Sequence, residues 1–230
     1  PGLLVRSVYP ERSGMPLFQA GSFTTDHRSP LKQRWGGWYV TGATATAEHM
    51  GNRIVPDRNR PEALSETVAP FDPGAYPAPT SDIVALMVLE HQTHMTNLLI
   101  RLGWETRMAL HTQGEMNRLL KRPENELSES AERRISSGVT EVASFMLFGE
   151  EAKIDSPVKG QSPFAAKFAV VGPRDKQGRS LREFDLKSRL FRYPLSYMIY
   201  SEAFDALPAP AKLRLLRKLF DTLKAGGRDD

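Results

Sequence analysis

At 230 residues, without cysteine, the chain is long enough to bury a core unaided by disulfides, as one large domain or two small ones. Its net charge of +4 comes from scattered basic residues with no recognition motif beside them, which argues against a nucleic-acid partner. The longest apolar run, Ile83 to Leu89, is far too short to span a membrane.

Residues 1–60 read as β and turn. Leu3 to Tyr9 is a short strand candidate, stopped by Pro10 and by the turn Glu11-Arg12-Ser13-Gly14. The chain opens at Pro1 without an initiator Met, which suits a mature or trimmed product. In Arg34-Trp35-Gly36-Gly37-Trp38-Tyr39-Val40-Thr41-Gly42, glycines between tryptophans let two backbones, or a backbone and a flat ligand, approach closely. A bulged strand with two core tryptophans is the alternative. Residues 61–80 carry much of a proline-rich stretch that begins at Pro56, and read as a linker or surface wrap.

Residues 81–230 read as a mainly helical body. Ser81 or Asp82 can cap a helix whose apolar positions run through Leu86, Leu89, Leu98 and Leu102 towards Leu119. Gly103 and Gly114 are places where it could bend or divide, and Lys121-Arg122-Pro123 closes it. A second helix follows, capped near Ser128 and reaching Phe148, with Ile135, Val139, Val142, Phe145 and Met146 on one stripe. Residues 153–180 read as loop. The block Tyr193 to Tyr200 reads as aromatic and buried, and a basic amphipathic helix from Ala211 to Lys224 ends at Gly226-Gly227. The expected fold class is α+β: a short N-terminal β and turn region wrapped on a mainly helical body, one compact domain overall.

All five histidines fall in the first half of the chain. His91 and Met95 are one helical turn apart, with His94 adjacent to that face, and Glu90 is placed elsewhere around the helix. A His-x-x-His pair can bind zinc only with a third ligand, and no His-Glu-x-x-His arrangement supplies a general base. The alternative is a histidine packed inside the helical body with its ring N–H satisfied. His49-Met50 follows the tryptophan turn; an imidazole or thioether on a glycine-rich loop suits an axial position on haem iron, and an ordinary loop histidine is the alternative. Neither a nucleophile elbow nor a phosphate-cradling glycine loop is present.

Several blocks together resemble a planctomycete-type family of exported c-type cytochrome proteins. They are Pro1 to Val8, Arg34 to Gly42, His49 to Asn52, Leu89 to Gln92, Gly178 to Leu186 and Tyr193 to Pro208, and they span nearly the whole chain. In that family this region follows a single Cys-x-x-Cys-His haem motif. The resemblance implies a periplasmic or exported haem-associated electron-transfer or redox subunit. The haem would not be attached covalently by this chain, and the partner would be a cytochrome subunit or other protein. It points to His49, Met50, His91 and His111 as metal-ligand positions, and to Trp35 and Trp38 beside the cofactor. This chain departs from the family pattern at Ala43-Thr44-Ala45, where a Thr-His-Gly is usual, and at Leu195, where a cysteine is usual. A cofactor-free structural subunit of a larger assembly is the competing expectation.

Overall fold

The computed structural model describes residues 2–66, 73–123 and 126–226. The fold is α+β with a mostly helical body: 45% of the described residues are helical, and their strands are only two or three residues long. Residues 67–72, in the middle of the proline-rich stretch, lie outside the described residues.

By contact the chain divides into two units, residues 1–94 with 150–194, and residues 95–149 with 195–230. The first unit therefore takes in the β and turn region, part of the helical region and the segment 150–194. Its strands pair in three small antiparallel ladders. β1 (Arg6–Val8) pairs with β2 (Ser22–Thr24), β3 (Ala43–Thr44) with β6 (Val158–Lys159), and β4 (Arg53–Ile54) with β5 (Ser65–Glu66). Strands this short cannot hold register alone, and side chains supply the missing constraint. The Ser156 hydroxyl accepts hydrogen bonds from the backbone of Thr46 and Ala47 beside the β3–β6 pair.

α1 (Ile83–Leu120) is not divided into two helices at Gly103 or Gly114. It starts because Asp82 caps it, its Oδ1 accepting from the Val84 backbone N–H at 2.9 Å. The same carboxylate accepts from Ser162 N–H at 2.7 Å, which ties the later segment to the helix start. Residues 83–94 belong to the first unit and bury Ile83, Val84, Met87 and Val88.

Within 150–194 the expectation of loop is corrected at α3 (Phe164–Val170). Pro163 stands at the N-cap of this helix, and Phe164 and Phe168, one turn apart, stack at 5.4 Å. Phe168 and Phe191 lie 6.1 Å apart, and Phe184 stacks on Phe191 at 5.1 Å.

In the second unit, α2 (Glu129–Met146) is capped by Ser128, whose hydroxyl accepts from Ala131 N–H at 3.3 Å. Its stripe of Ile135, Val139, Val142, Phe145 and Met146 is buried as the spacing predicts. Part of that burial comes from α5 (Ala209–Gly226), which packs on α2 through Ala211, Leu215 and Leu219. Between them, the Ser201 hydroxyl caps the single turn α4 (Glu202–Asp205). In the block 193–200, Tyr197 and Met198 are buried while Tyr200 is exposed.

Gly36 answers the question raised by the paired glycines. A Cβ there would lie 2.1 Å from the Val8 carbonyl oxygen and 2.9 Å from the Ser7 hydroxyl, so the two backbones touch. The Gly36 carbonyl accepts from Val8 N–H at 3.0 Å and its N–H donates to Ser7 Oγ at 2.8 Å. Gly36→Ala is expected to lower unfolding stability by about 3 kcal/mol, the upper end of ordinary overpacking costs, because backbone cannot yield as a flexible side chain does. Urea denaturation followed by circular dichroism measures it, and an unchanged midpoint would contradict the close approach.

Candidate functional site

The first unit is built around charge buried deep in its core. Glu90, next to the apolar start of α1, is 0% exposed, and Arg34, in the loop before the tryptophan turn, is 2% exposed. Arg34 Nη1 donates to Glu90 Oε2 at 2.9 Å. The rest of the guanidinium is committed to backbone: Nε donates to the Ser29 carbonyl at 2.7 Å and Nη2 to the His27 carbonyl at 3.0 Å. Burial pushes the Glu90 carboxyl up to about 7, against the opposing pull of Arg34.

The next residue along α1 completes the cluster. His91 is fully buried, and its Nδ1 lies 2.7 Å from His27 Nδ1. Two ring nitrogens at that distance need one hydrogen between them, so one imidazole donates and the other accepts. Burial first, then the neighbouring His27, keeps His91 well below the ordinary histidine range. Phe191 meets the His91 ring edge-on at 6.3 Å. Nearer the surface, Asp26 holds Arg28 through two hydrogen bonds of 2.7 and 3.0 Å and faces His94 Nδ1 at 3.6 Å. Burial alone would raise the Asp26 carboxyl, and the bonds from Arg28 more than reverse that.

The loop carrying His49 is strapped to the tryptophan turn. Met50 N–H donates to the Arg34 carbonyl at 3.0 Å and Asn52 N–H to the Trp38 carbonyl at 3.1 Å. The Asn52 side chain clamps Val40 with a donor and an acceptor, at 2.7 and 2.9 Å. Trp35 and Asn52 both adopt left-handed backbone, φ 65° and 61°, a conformation that asparagine tolerates and tryptophan adopts only when its surroundings impose it. Gly51 cannot carry a side chain, since a Cβ would meet Val40 Cγ2 at 2.4 Å.

Each expected site residue has a definite place. Trp35 is buried, and its ring meets His49 edge-on at 5.3 Å. Trp38 is half-buried, donates from Nε1 to the Arg6 carbonyl at 2.9 Å, and with Tyr39, Tyr76 and Pro79 lines a pocket of about 410 Å³. Met50 is buried, its Sδ accepting from the Ser7 hydroxyl at 3.6 Å. His111 is exposed on the part of α1 that belongs to the second unit. His91 takes its place in the buried pair with His27, a residue that sequence reasoning did not single out. Glu90, expected to point away, lies at the centre of the cluster.

His49 has the posture of a ligand. It is half-buried, with Nδ1 sealed from solvent near Gly51 and without a hydrogen-bond partner among the described residues. Burial, then the charge of Arg53, lowers its pKa, so the ring is neutral at neutral pH. A neutral imidazole can offer a ring nitrogen to a metal ion. Among the described residues no group of three or more histidines and carboxylates is placed to hold a metal ion. Of the expected site residues, His49 is one whose chemistry would suit a single bond to a metal or haem iron.

Two outcomes follow from the buried cluster. Replacing either partner singly, Arg34→Met or Glu90→Leu, is expected to cost about 3–5 kcal/mol, while the double variant costs less than either single change. A double-mutant cycle in urea tests this, and simple additivity would contradict a coupled pair.

The second outcome concerns pH. Folding lowers the His91 pKa from 6.5, so its contribution is present above 6.5 and lost as pH falls. Folding raises Glu90 from 4.5 to about 7, so its contribution is present at low pH and lost as pH rises through that range. Between these limits the slopes are opposite, each on the order of 1 kcal/mol per pH unit, and they offset one another. Relative to the unaltered protein, Glu90→Gln should lose stability as pH falls below 6.5. His91→Leu should instead lose it as pH rises from 4.5 towards 7. Unfolding free energies measured across that range check both signs.

No family model, curated protein or solved structure matches this chain.

Proposed function

We propose that this chain is a haem-associated electron-transfer or redox subunit of an exported, cytochrome-like protein, with His49 as the side chain offered to iron. The observation that carries the reading is the setting of His49: a half-buried imidazole kept towards its neutral form by burial and by Arg53, and packed edge-on against the buried Trp35. The likeness of the Arg34–Gly42 and His49–Asn52 blocks to a c-type cytochrome family supports it. A haem would supply one-electron chemistry at its iron, and with no cysteine here it would be held by coordination, or covalently by another segment or partner.

The chain's own residues orient and shield. Trp35 limits rotation of the imidazole, and Asn52 and Gly51 fix the loop that presents it. The Ser7 bond to Met50 Sδ engages the thioether inside the turn, so Met50 acts as a packing anchor. His91, paired with His27, stays within the core.

Titration of the purified chain with haemin tests this directly. A shifted Soret band is expected, and His49→Ala should abolish it while leaving the far-ultraviolet dichroism unchanged. If no shift occurs, or if His49→Ala shifts the band equally, the reading fails.

A second reading, a cofactor-free structural subunit, is favoured by the exposure of Leu3, Leu4, Met15 and Phe18 near the start of the chain. A monomer by light scattering, with haemin bound through His49, would exclude it.

A further inference from the structure

α5 carries two apolar stripes, and only one of them is used. Ala211, Leu215 and Leu219, four residues apart, pack against α2. Leu213, Leu216, Phe220 and Leu223 follow spacings of three, four and three residues, which places them on a separate stripe about 80° wide. These four side chains face solvent, with Leu213 67% and Phe220 62% exposed. Exposing leucine and phenylalanine along most of an 18-residue helix is costly unless something covers them.

The charges around the stripe identify what covers it. The helix carries Lys212, Arg214, Arg217, Lys218 and Lys224 against the single acid Asp221. Lys212 is tied to Asp205 at 2.8 Å and Arg214 to Glu132 at 2.7 Å. Arg217, Lys218 and Lys224 are exposed, and among the described residues no carboxylate pairs with them. On the helical wheel Arg217 and Lys224 fall directly beside the exposed stripe. Lys224 Nζ lies 5.8 Å from the Phe220 ring, so the cation and the apolar edge are adjacent in space.

The geometry points to α5 as a peripheral membrane-docking helix that lies in the plane of an anionic lipid surface. Leu213, Leu216, Phe220 and Leu223 enter the boundary between headgroups and acyl chains, and Arg217 and Lys224 meet the lipid phosphates. One surface satisfies both needs, offering a shallow apolar layer directly beneath a sheet of negative charge. The remainder of the second unit stays in water, since α5 keeps its other stripe on α2. Among the described residues no helix is long and apolar enough to cross a membrane, so the attachment is superficial and reversible. The inference is independent of whether His49 binds haem.

Co-sedimentation of the full chain with vesicles is the test, using mixed phosphatidylcholine and phosphatidylglycerol against phosphatidylcholine alone. The protein is expected to pellet with the mixed vesicles only, and less so as salt rises. Arg217→Gln with Lys224→Gln should weaken that partitioning on the order of thirty-fold, taking the usual strength of one cation at an anionic surface for each. Leu213→Gln with Phe220→Gln should abolish it, and all four positions are exposed, so circular dichroism should show folding intact. Equal pelleting with both vesicle types, or with neither, overturns the inference. So does a dimer in light scattering that Leu213→Gln with Phe220→Gln dissolves, since a second copy would then cover the stripe.

Discussion

The first unit depends on a single buried ion pair. Arg34 and Glu90 could be replaced together by apolar residues that fill the same volume, since removing two charges from water is a cost that their attraction only partly offsets. What the pair supplies is position. The guanidinium spans the Ser29 and His27 carbonyls and the Glu90 carboxylate at once, so the loop 27–34 can meet α1 in one register only. With strands of two and three residues, the ladders cannot provide that register themselves.

The two adjacent positions on α1 face opposite electrostatic penalties. Glu90 is driven towards its neutral form by burial, and His91 is driven towards its own neutral form by the same burial. In the mildly acidic range a neutral Glu90 leaves the Arg34 guanidinium to the Ser29 and His27 carbonyls, while a neutral His91 adds no second cation. The 2.7 Å contact between His27 and His91 then needs only one shared hydrogen, which two neutral rings supply. Keeping His91 uncharged is what lets it share the interior with Arg34 and Phe191.

The long elements were legible because each carries a local signal. Ser128 caps α2, Lys121-Arg122-Pro123 stops α1, and the stripes of α2 and α5 follow the helical period. α3 escaped because its seven residues span barely two turns, with proline and glycine nearby. The tryptophan turn was half legible: glycines announced a close approach, while the identity of the approaching strand, at Ser7 and Val8, depends on tertiary pairing. The buried cluster was the least legible. Glu90 and His91 stand out as polar residues beside an apolar run, and that oddity was the available clue. Nothing local names their partners, for His27 lies 64 positions away and Arg34 lies 56 away.

Arg34 also links the cluster to the candidate ligand. Its side chain ends on Glu90, and its main-chain carbonyl accepts from Met50 N–H, the residue after His49. Trp35, forced into left-handed backbone immediately afterwards, carries the ring on which His49 rests. One residue thus holds the core through its guanidinium and the His49 loop through its peptide. Any change that moves Arg34, whether loss of the Glu90 charge or of the His27 carbonyl contact, is transmitted to the imidazole through a hydrogen bond and one ring contact. The support of the His49 ring thus comes from the same buried charges that set the fold.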